Sequence, residues 1–235
     1  MDPILFDKVG KSRNRRLSQG ITNIPGLLAY YPLNESSGNA INRAPSSLGS
    51  YNGTLAGDIT QGVAGQLGNS YLFGATNSTI TTGLDITNAS FSIFFIFKSD
   101  YPSSADNVRG ILNKRENDNE WRITTNNSRV LNFTGWSDSV TTTKSTNTAA
   151  LTIGQWYGVL ITYDGTTSSI YLNGGTPATG SSGDPIQDTA AVVIMGRESN
   201  DSDRYFSGNL QHVAIYSSVL TQANGLALSK LAGLA

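Results

Sequence analysis

Three carboxylates in this chain, Glu116, Asp118 and Glu120, alternate with Asn117 and Asn119. Alternate residues of a β-strand share one face, so the three would line up on a strand. Two carboxylates held on one side of a sugar-binding cleft can serve as the acid and the nucleophile or base of glycoside hydrolysis. The neighbours argue against that use. A strand inside a sandwich turns its intervening residues toward packed surface, where asparagine is poorly suited. Flanked by Lys114-Arg115, the run Asn117-Asp118-Asn119 reads instead as the turn between strands Gly110–Lys114 and Trp121–Thr125. No catalytic residue is assigned, and the chain is expected not to be an enzyme.

Other catalytic sets are equally poor. His212 is the single histidine and there is no cysteine, so a Ser-His-Asp or Cys-His site would have to form around His212 alone. That residue lies in Gln211-His-Val-Ala, where alternation makes it a rim or core residue. Gly174-Gly175 and Gly180-Ser-Ser-Gly183 have no helix after them, as a phosphate loop would require. Sugar recognition remains. An indole offers a flat apolar face that suits a sugar ring. Trp121 opens a strand and is expected to be half-buried. Trp136 stands in Thr134-Gly-Trp-Ser-Asp138, read as a polar loop, and is the candidate glycan or partner contact. Asp138, Tyr101 and Arg109 are candidates for the same rim.

The elements that would carry these residues are strands. Gly154-Gln-Trp-Tyr-Gly-Val-Leu-Ile-Thr-Tyr-Asp-Gly-Thr-Thr-Ser-Ser-Ile-Tyr-Leu-Asn-Gly-Gly175 is two apolar runs, each ended by a turn dipeptide. Closely spaced strands of this kind mark an antiparallel all-β protein. Phe91–Phe97 is apolar at both parities, so it should be a central strand. Some twelve to fourteen strands in two stacked sheets fit between Leu27 and Tyr216. Leu220–Leu231 reads as a terminal helix capped by Thr221 and weakened by Gly225.

The tryptophan strand, the Tyr-Asp-Gly turn and the Tyr-x-Asn-Gly turn resemble the laminin-G-like, concanavalin-A-like jelly-roll family. Gly26–Gly38 is similar to its opening strand, and Tyr51–Gly57 and Gly65–Gly74 to the next two. Ala89–Phe97 matches the long inner strand, and Phe206–Tyr216 with Val219–Thr221 the closing one. The resemblance implies an antiparallel two-sheet jelly-roll sandwich and makes Trp156 a core tryptophan. It also raises calcium, which relatives hold with carboxylates after the opening strand and in the closing strand. Here those places read Asn42-Arg43-Ala44 and Leu210-Gln211-His212, which lack the hard charged oxygens calcium prefers. No metal and no other cofactor is therefore expected. The fold implies no single function, because it hosts lectins, hydrolases, adhesion modules and virion parts.

Composition narrows the choice further. Charged residues are only 14% of the chain and the net charge is −1, which provides no field for nucleic acid or anionic membrane. No apolar run approaches the length of a membrane span. Met1–Lys8 lacks the basic head and long apolar run of a signal peptide, so synthesis in a cytoplasm without export by that route is expected. Residues 1–25 differ from the rest. Lys8, Lys11, Arg13, Arg15 and Arg16 outnumber Asp2 and Asp7, and Ile4, Leu5 and Phe6 form one apolar knot. This reads as an extended basic arm for anchoring or assembly, ahead of a jelly-roll domain over 26–235. A cysteine-free, Ser/Thr/Asn-rich sandwich with such an arm resembles, in style, bacteriophage head-decoration, fibre or tail components. The expected function is thus a non-enzymatic virion protein located in the virion. Its arm would grip other virion proteins, and the chain would form a homotrimer or homodimer. The alternative is a soluble lectin using loop aromatics around Trp136.

Overall fold

The computed structural model describes residues 3–45, 51–87, 89–100, 108–116, 119–136, 143–147, 149–181, 184–198 and 204–235. Side chains are described within these, apart from residues 3–10, 115, 116, 119 and 143–147. The chain opens with helix α1 (Pro3–Thr22). Strands β1 (Leu27–Tyr31), β2 (Thr54–Ala56), β3 (Ile59–Ala64), β4 (Asn69–Phe73), β5 (Thr79–Thr81) and β6 (Phe91–Ser99) follow. Next come β7 (Arg109–Glu116), β8 (Asn119–Thr125), β9 (Leu131–Trp136), β10 (Thr143–Asn147) and β11 (Trp156–Tyr163). The chain closes with β12 (Thr167–Leu172), β13 (Ala178–Ser181), β14 (Ile194–Met195), β15 (Gly208–Tyr216) and helix α2 (Gln222–Ala232).

The strands form two antiparallel sheets. In the first, the order is β13-β12-β11-β6-β15-β4-β3, with β1 also paired to β15. In the second it is β10-β9-β8-β7-β14-β5-β2. Phe91, Ile93, Phe95 and Phe97 of β6 meet Trp121, Ile123 and Phe133 of the second sheet in the main core. Phe94 and Ile96 point the other way, into a second core with Leu160, Tyr216 and helix residues Leu17, Ile21 and Leu228. The first sheet is therefore buried on both faces, which accounts for the apolar residues at both parities of β6.

The β11–β12 turn forms as its sequence demands. Asp164 Oδ1 accepts from the backbone N–H of Thr166 at 2.9 Å and Thr167 at 2.7 Å. Those backbone donors, Thr167 foremost, hold the Asp164 carboxyl below its ordinary range. Gly165 supplies the positive φ of 99° that the turn needs. At the far end of α2, Gly233 takes the left-handed cap, and Thr221 and Asn224 close a reciprocal capping box at the start. Gly225, read in sequence as a weakness, faces Leu160, where a methyl group would stand 3.0 Å from its Cδ2.

The extended arm is corrected. Residues Pro3–Thr22 are helical, and Leu17 and Ile21, one turn apart, are fully buried in the second core. Asn14 donates to the Leu67 carbonyl at 3.0 Å, and Ser18 shares a 2.8 Å hydrogen bond with Tyr30. Tyr216 donates to the Ile21 carbonyl at 3.1 Å. As one turn of helix, Leu17 and Ile21 stand on one side of α1 and both enter the second core, while the intervening Ser18 reaches Tyr30. Lys11, Arg13, Arg15 and Arg16 are exposed. The side chains of Ile4, Leu5, Phe6 and Lys8 lie outside the described residues.

His212 is a core residue. It is fully buried at an irregularity of β15, with a φ of 52°, and its Nδ1 lies 2.7 Å from the Tyr30 hydroxyl. Burial depresses the imidazole pKa to about 3, so His212 is neutral at physiological pH. It serves the docking of α1 through Tyr30 and Ser18.

Candidate functional site

The alternating carboxylates do not form a catalytic face. Glu116 pairs with Asn119 and Arg115 with Glu120, so Glu116 and Glu120 stand on opposite strands of the β7–β8 hairpin. Strands β7 and β8 therefore pair as the expected hairpin, and residues 117 and 118 lie outside the described residues. Glu120 is fully buried, and so is Lys114. Lys114 Nζ stands 2.7 Å from Glu120 Oε2, 2.9 Å from Asp85 and 3.1 Å from Asp188. It also donates to the Thr189 carbonyl at 3.1 Å. The other Glu120 oxygen accepts from the Thr189 amide at 2.6 Å and from the Thr189 hydroxyl. Burial alone would lower the Lys114 amine, but the three carboxylates hold it above its ordinary value. Burial pushes the Glu120 carboxyl up, against the pull of Lys114 and Thr189. This lysine and this glutamate neutralise one another in a buried ion pair.

The tryptophans fall differently from expectation. Trp121 is fully buried, packed on Phe91 with ring centroids 5.4 Å apart. Trp156 is only partly buried, on the outer side of the first sheet against the second core, with Lys98 Nζ 5.8 Å from its ring centroid. The two roles are thus exchanged. Strand parity decides it, since Trp121 faces the opposite sheet and Trp156 the helices.

Trp136 is the last residue of β9, paired to Glu120 and Thr143, rather than part of a loop. It shares the outer face of the second sheet with Asn132 and Thr134, because Leu131 and Phe133 face the core. The Arg122 guanidinium lies over its ring at 4.9 Å from the centroid. Arg122 is itself ion-paired to Glu198, which is fully buried and also receives Arg204 Nη1 at 2.6 Å. The Glu198 segment reaches the sheet because Gly110 has no side chain to keep it off: a Cβ there would collide with the Arg197–Glu198 backbone. Gln187 N–H donates to the Trp136 carbonyl at 2.9 Å. The result is a partly exposed indole braced by a fixed guanidinium.

Trp136 and Arg109 do not share a rim. Along β8, Trp136 stands opposite Glu120 and Arg109 opposite Thr125. Five residues of strand separate the two positions by about 17 Å. Tyr101 and Asp138 lie outside the described residues. In the segment after β1, Asn42 Oδ1 accepts from the amides of Tyr30 and Ala44, each at 3.0 Å. Gln211 is held by Leu67 and Asn69. Sequence reasoning missed Arg122, Glu198 and Arg204, since residues so far apart in the chain carry no common signal.

Two stacked antiparallel sheets in this strand order make a jelly-roll sandwich. The chain belongs to the Concanavalin A-like lectin/glucanases superfamily, whose Laminin_G_3 model matches residues 73–224. No curated protein matches it. Among solved structures, the binding domain of botulinum neurotoxin serotype D aligns at 14% identity and a TM-score of 0.68. That match covers 87% of this chain and 51% of the other. The receptor-binding domain of botulinum neurotoxin type G aligns at 20% identity and a TM-score of 0.65, covering 88% and 51%. This chain thus spans about half of either toxin domain. Domain 4 of AbnA, an extracellular arabinanase from Geobacillus stearothermophilus solved with arabinotriose, aligns at 17% identity. Its TM-score is 0.61, with 86% of this chain and 98% of that one covered. At these identities the likeness is one of fold. Among the described residues, no helix is long and apolar enough to cross a membrane.

Proposed function

We propose that this chain is a non-enzymatic binding module that recognises glycans on the outer face of the second sheet at Trp136. One observation carries the reading: an indole at the end of β9 that keeps exposed surface while Arg122, itself fixed by Glu198, braces it. Preorganisation matters because a ring already held in place loses little entropy when a sugar stacks on it. The solved relatives add support, since one is a sugar-complexed domain and others bind receptors. The test is a titration of arabinotriose and a panel of immobilised oligosaccharides with the full chain and Trp136→Ala. Binding to at least one saccharide, weakened about tenfold or more (about 1.4 kcal/mol) by the substitution, is the expected result. A panel that binds nothing, or binds both proteins equally, would sink the reading.

A second reading, attachment to a larger assembly such as a virion, is favoured by the exposed basic residues Lys11, Arg13, Arg15 and Arg16 of the docked α1. Here the helix would present charge to carboxylates on a support, and several copies in a dimer or trimer would multiply weak contacts. Native mass at low and high salt tests it. An oligomer is expected that dissociates in high salt and in Arg15→Ser/Arg16→Ser. A monomer under every condition would leave the self-assembly part of this reading without support.

A further inference from the structure

On the outer face of the first sheet, an open cleft of about 420 Å³ lies between the start of β11, the turn after β12 and the end of α2. Gln66, Gln155, Trp156, Asn173 and Leu234 line it. The row Trp156, Gly158 and Leu160, on one face of β11, builds its floor. Leu160 belongs to the second core, and Trp156 packs against it. Between them Gly158 leaves room for the end of α2: a Cβ there would stand 3.0 Å from Ser229 Oγ and 3.4 Å from Leu234 Cδ1. The helix end therefore settles beside Trp156 without covering it, and Trp156 keeps exposed surface. Lys98, held by Asp100 at 3.5 Å, stands over the ring at 5.8 Å from its centroid and is not part of the lining.

Hydrogen bonds fix the walls. Asn173, with a φ of 51°, donates its N–H to the Gly158 carbonyl at 2.7 Å, and its Oδ1 accepts from Gly158 N–H at 2.8 Å. Gln66 reaches across from the β3–β4 connection, its Nε2 donating to the Ala232 carbonyl at 3.2 Å. Gly233 and Leu234 donate their N–H groups back to the Lys230 and Ser229 carbonyls. The chemistry left over suits an uncharged, hydroxylated ligand. No lining side chain is charged. Among the described residues, the Asn173 NH₂, Gln66 Oε1 and the exposed Gln155 amide have no hydrogen-bond partner. Side-chain amides both donate and accept, as sugar hydroxyls do. An indole adds a flat apolar surface for the C–H face of a pyranose. Clefts of about 300 Å³ and above are of ligand size. We infer that this cleft is a second saccharide site, which takes an uncharged sugar ring on Trp156 and holds its hydroxyls with Gln155, Asn173 and Gln66. It stands on the other sheet from Trp136 and does not depend on that residue.

Proton–nitrogen correlation spectra of the full chain, with the indole signals assigned by single Trp→Phe substitutions, test the inference. Titration with cellotriose, maltotriose and arabinotriose separates β-glucan, α-glucan and arabinan as the source of the sugar. At least one is expected to shift the Trp156 indole and Gln155 side-chain signals to saturation. Affinity should hold between about 50 mM and about 500 mM NaCl, because no lining side chain is charged. Trp156→Ala should lower it about tenfold or more. Gln155→Ala, at an exposed position with no side-chain partner to lose, keeps the fold and should lower it about threefold. Trp136→Ala should leave the Trp156 shifts unchanged. A Trp156 signal that none of the three sugars moves, or an affinity indifferent to both Trp156→Ala and Gln155→Ala, overturns the site. Shifts confined to the Trp136 signal, or binding that disappears in Trp136→Ala, would support the other face and overturn this one.

Discussion

Leu17→Ala is expected to destabilise the whole domain by about 2–5 kcal/mol, the cost of emptying a packed leucine site. Leu17 is fully buried between the first sheet and α2, in a cluster with Tyr30, Phe94, Leu160, Tyr216 and Leu228. Those residues are an outer face of the sheet that would otherwise meet water. Ile21→Ala, one turn on, should cost a similar amount, and the pair more than either. Urea denaturation monitored by tryptophan fluorescence gives the number, because the midpoint shift at constant slope is the stability change. If α1 were a tail resting loosely on the surface, the change would stay within about 0.5 kcal/mol. The expectation also bears on any assembly experiment. Truncation at residue 26 removes Leu17 and Ile21 along with the basic residues, so it would expose apolar sheet as well as remove charge. Substitution of the exposed arginines separates the two effects.

Lys114→Met is expected to cost about 3–5 kcal/mol, since removing one partner of a buried ion pair strands the other. Glu120 has no exposed surface, and Lys114 is the cation beside its Oε2. Asp85 and Asp188 are about half-exposed and can be hydrated when the ammonium is gone. The damage therefore concentrates on Glu120. Glu120→Gln in the Lys114→Met background should restore a large part of the loss, because the amide still accepts from Thr189 and carries no charge. A double-mutant cycle by urea denaturation measures the coupling. Additive single effects would mean that the two groups do not depend on each other. The same cycle addresses the Glu-Asn-Asp-Asn-Glu run, whose last carboxylate is structural in this account.

The sequence was read correctly where the signal is local. Asp164-Gly165 makes its turn because Asp164 caps the following amides and glycine accepts positive φ, and both requirements span four residues. The asparagines at 117 and 119 similarly placed a hairpin between β7 and β8. Thr221 capped α2 as its chemistry requires. The tryptophans were misassigned because parity on a strand depends on which face meets the other sheet. Local sequence cannot say that for Trp156, because β11 is apolar at both parities. For Trp121 the signal was present: Ile123 shares its parity, while Arg122 and Thr124 take the other.

The sequence by itself determined an antiparallel all-β chain, its main turns, its central phenylalanine strand and its capped terminal helix. Each follows from backbone preferences or periodicity within a few residues. Only the tertiary structure decided that α1 is part of the domain, since two buried residues among many charges become a seam only against a sheet that needs covering. It also decided the sites. Trp136 acquires Arg122, Glu198 and Arg204, which stand 14, 62 and 68 residues away in the chain, through strand pairing and loop return. Side-chain partners at such separations are chosen by packing geometry, which has no local signature in the sequence.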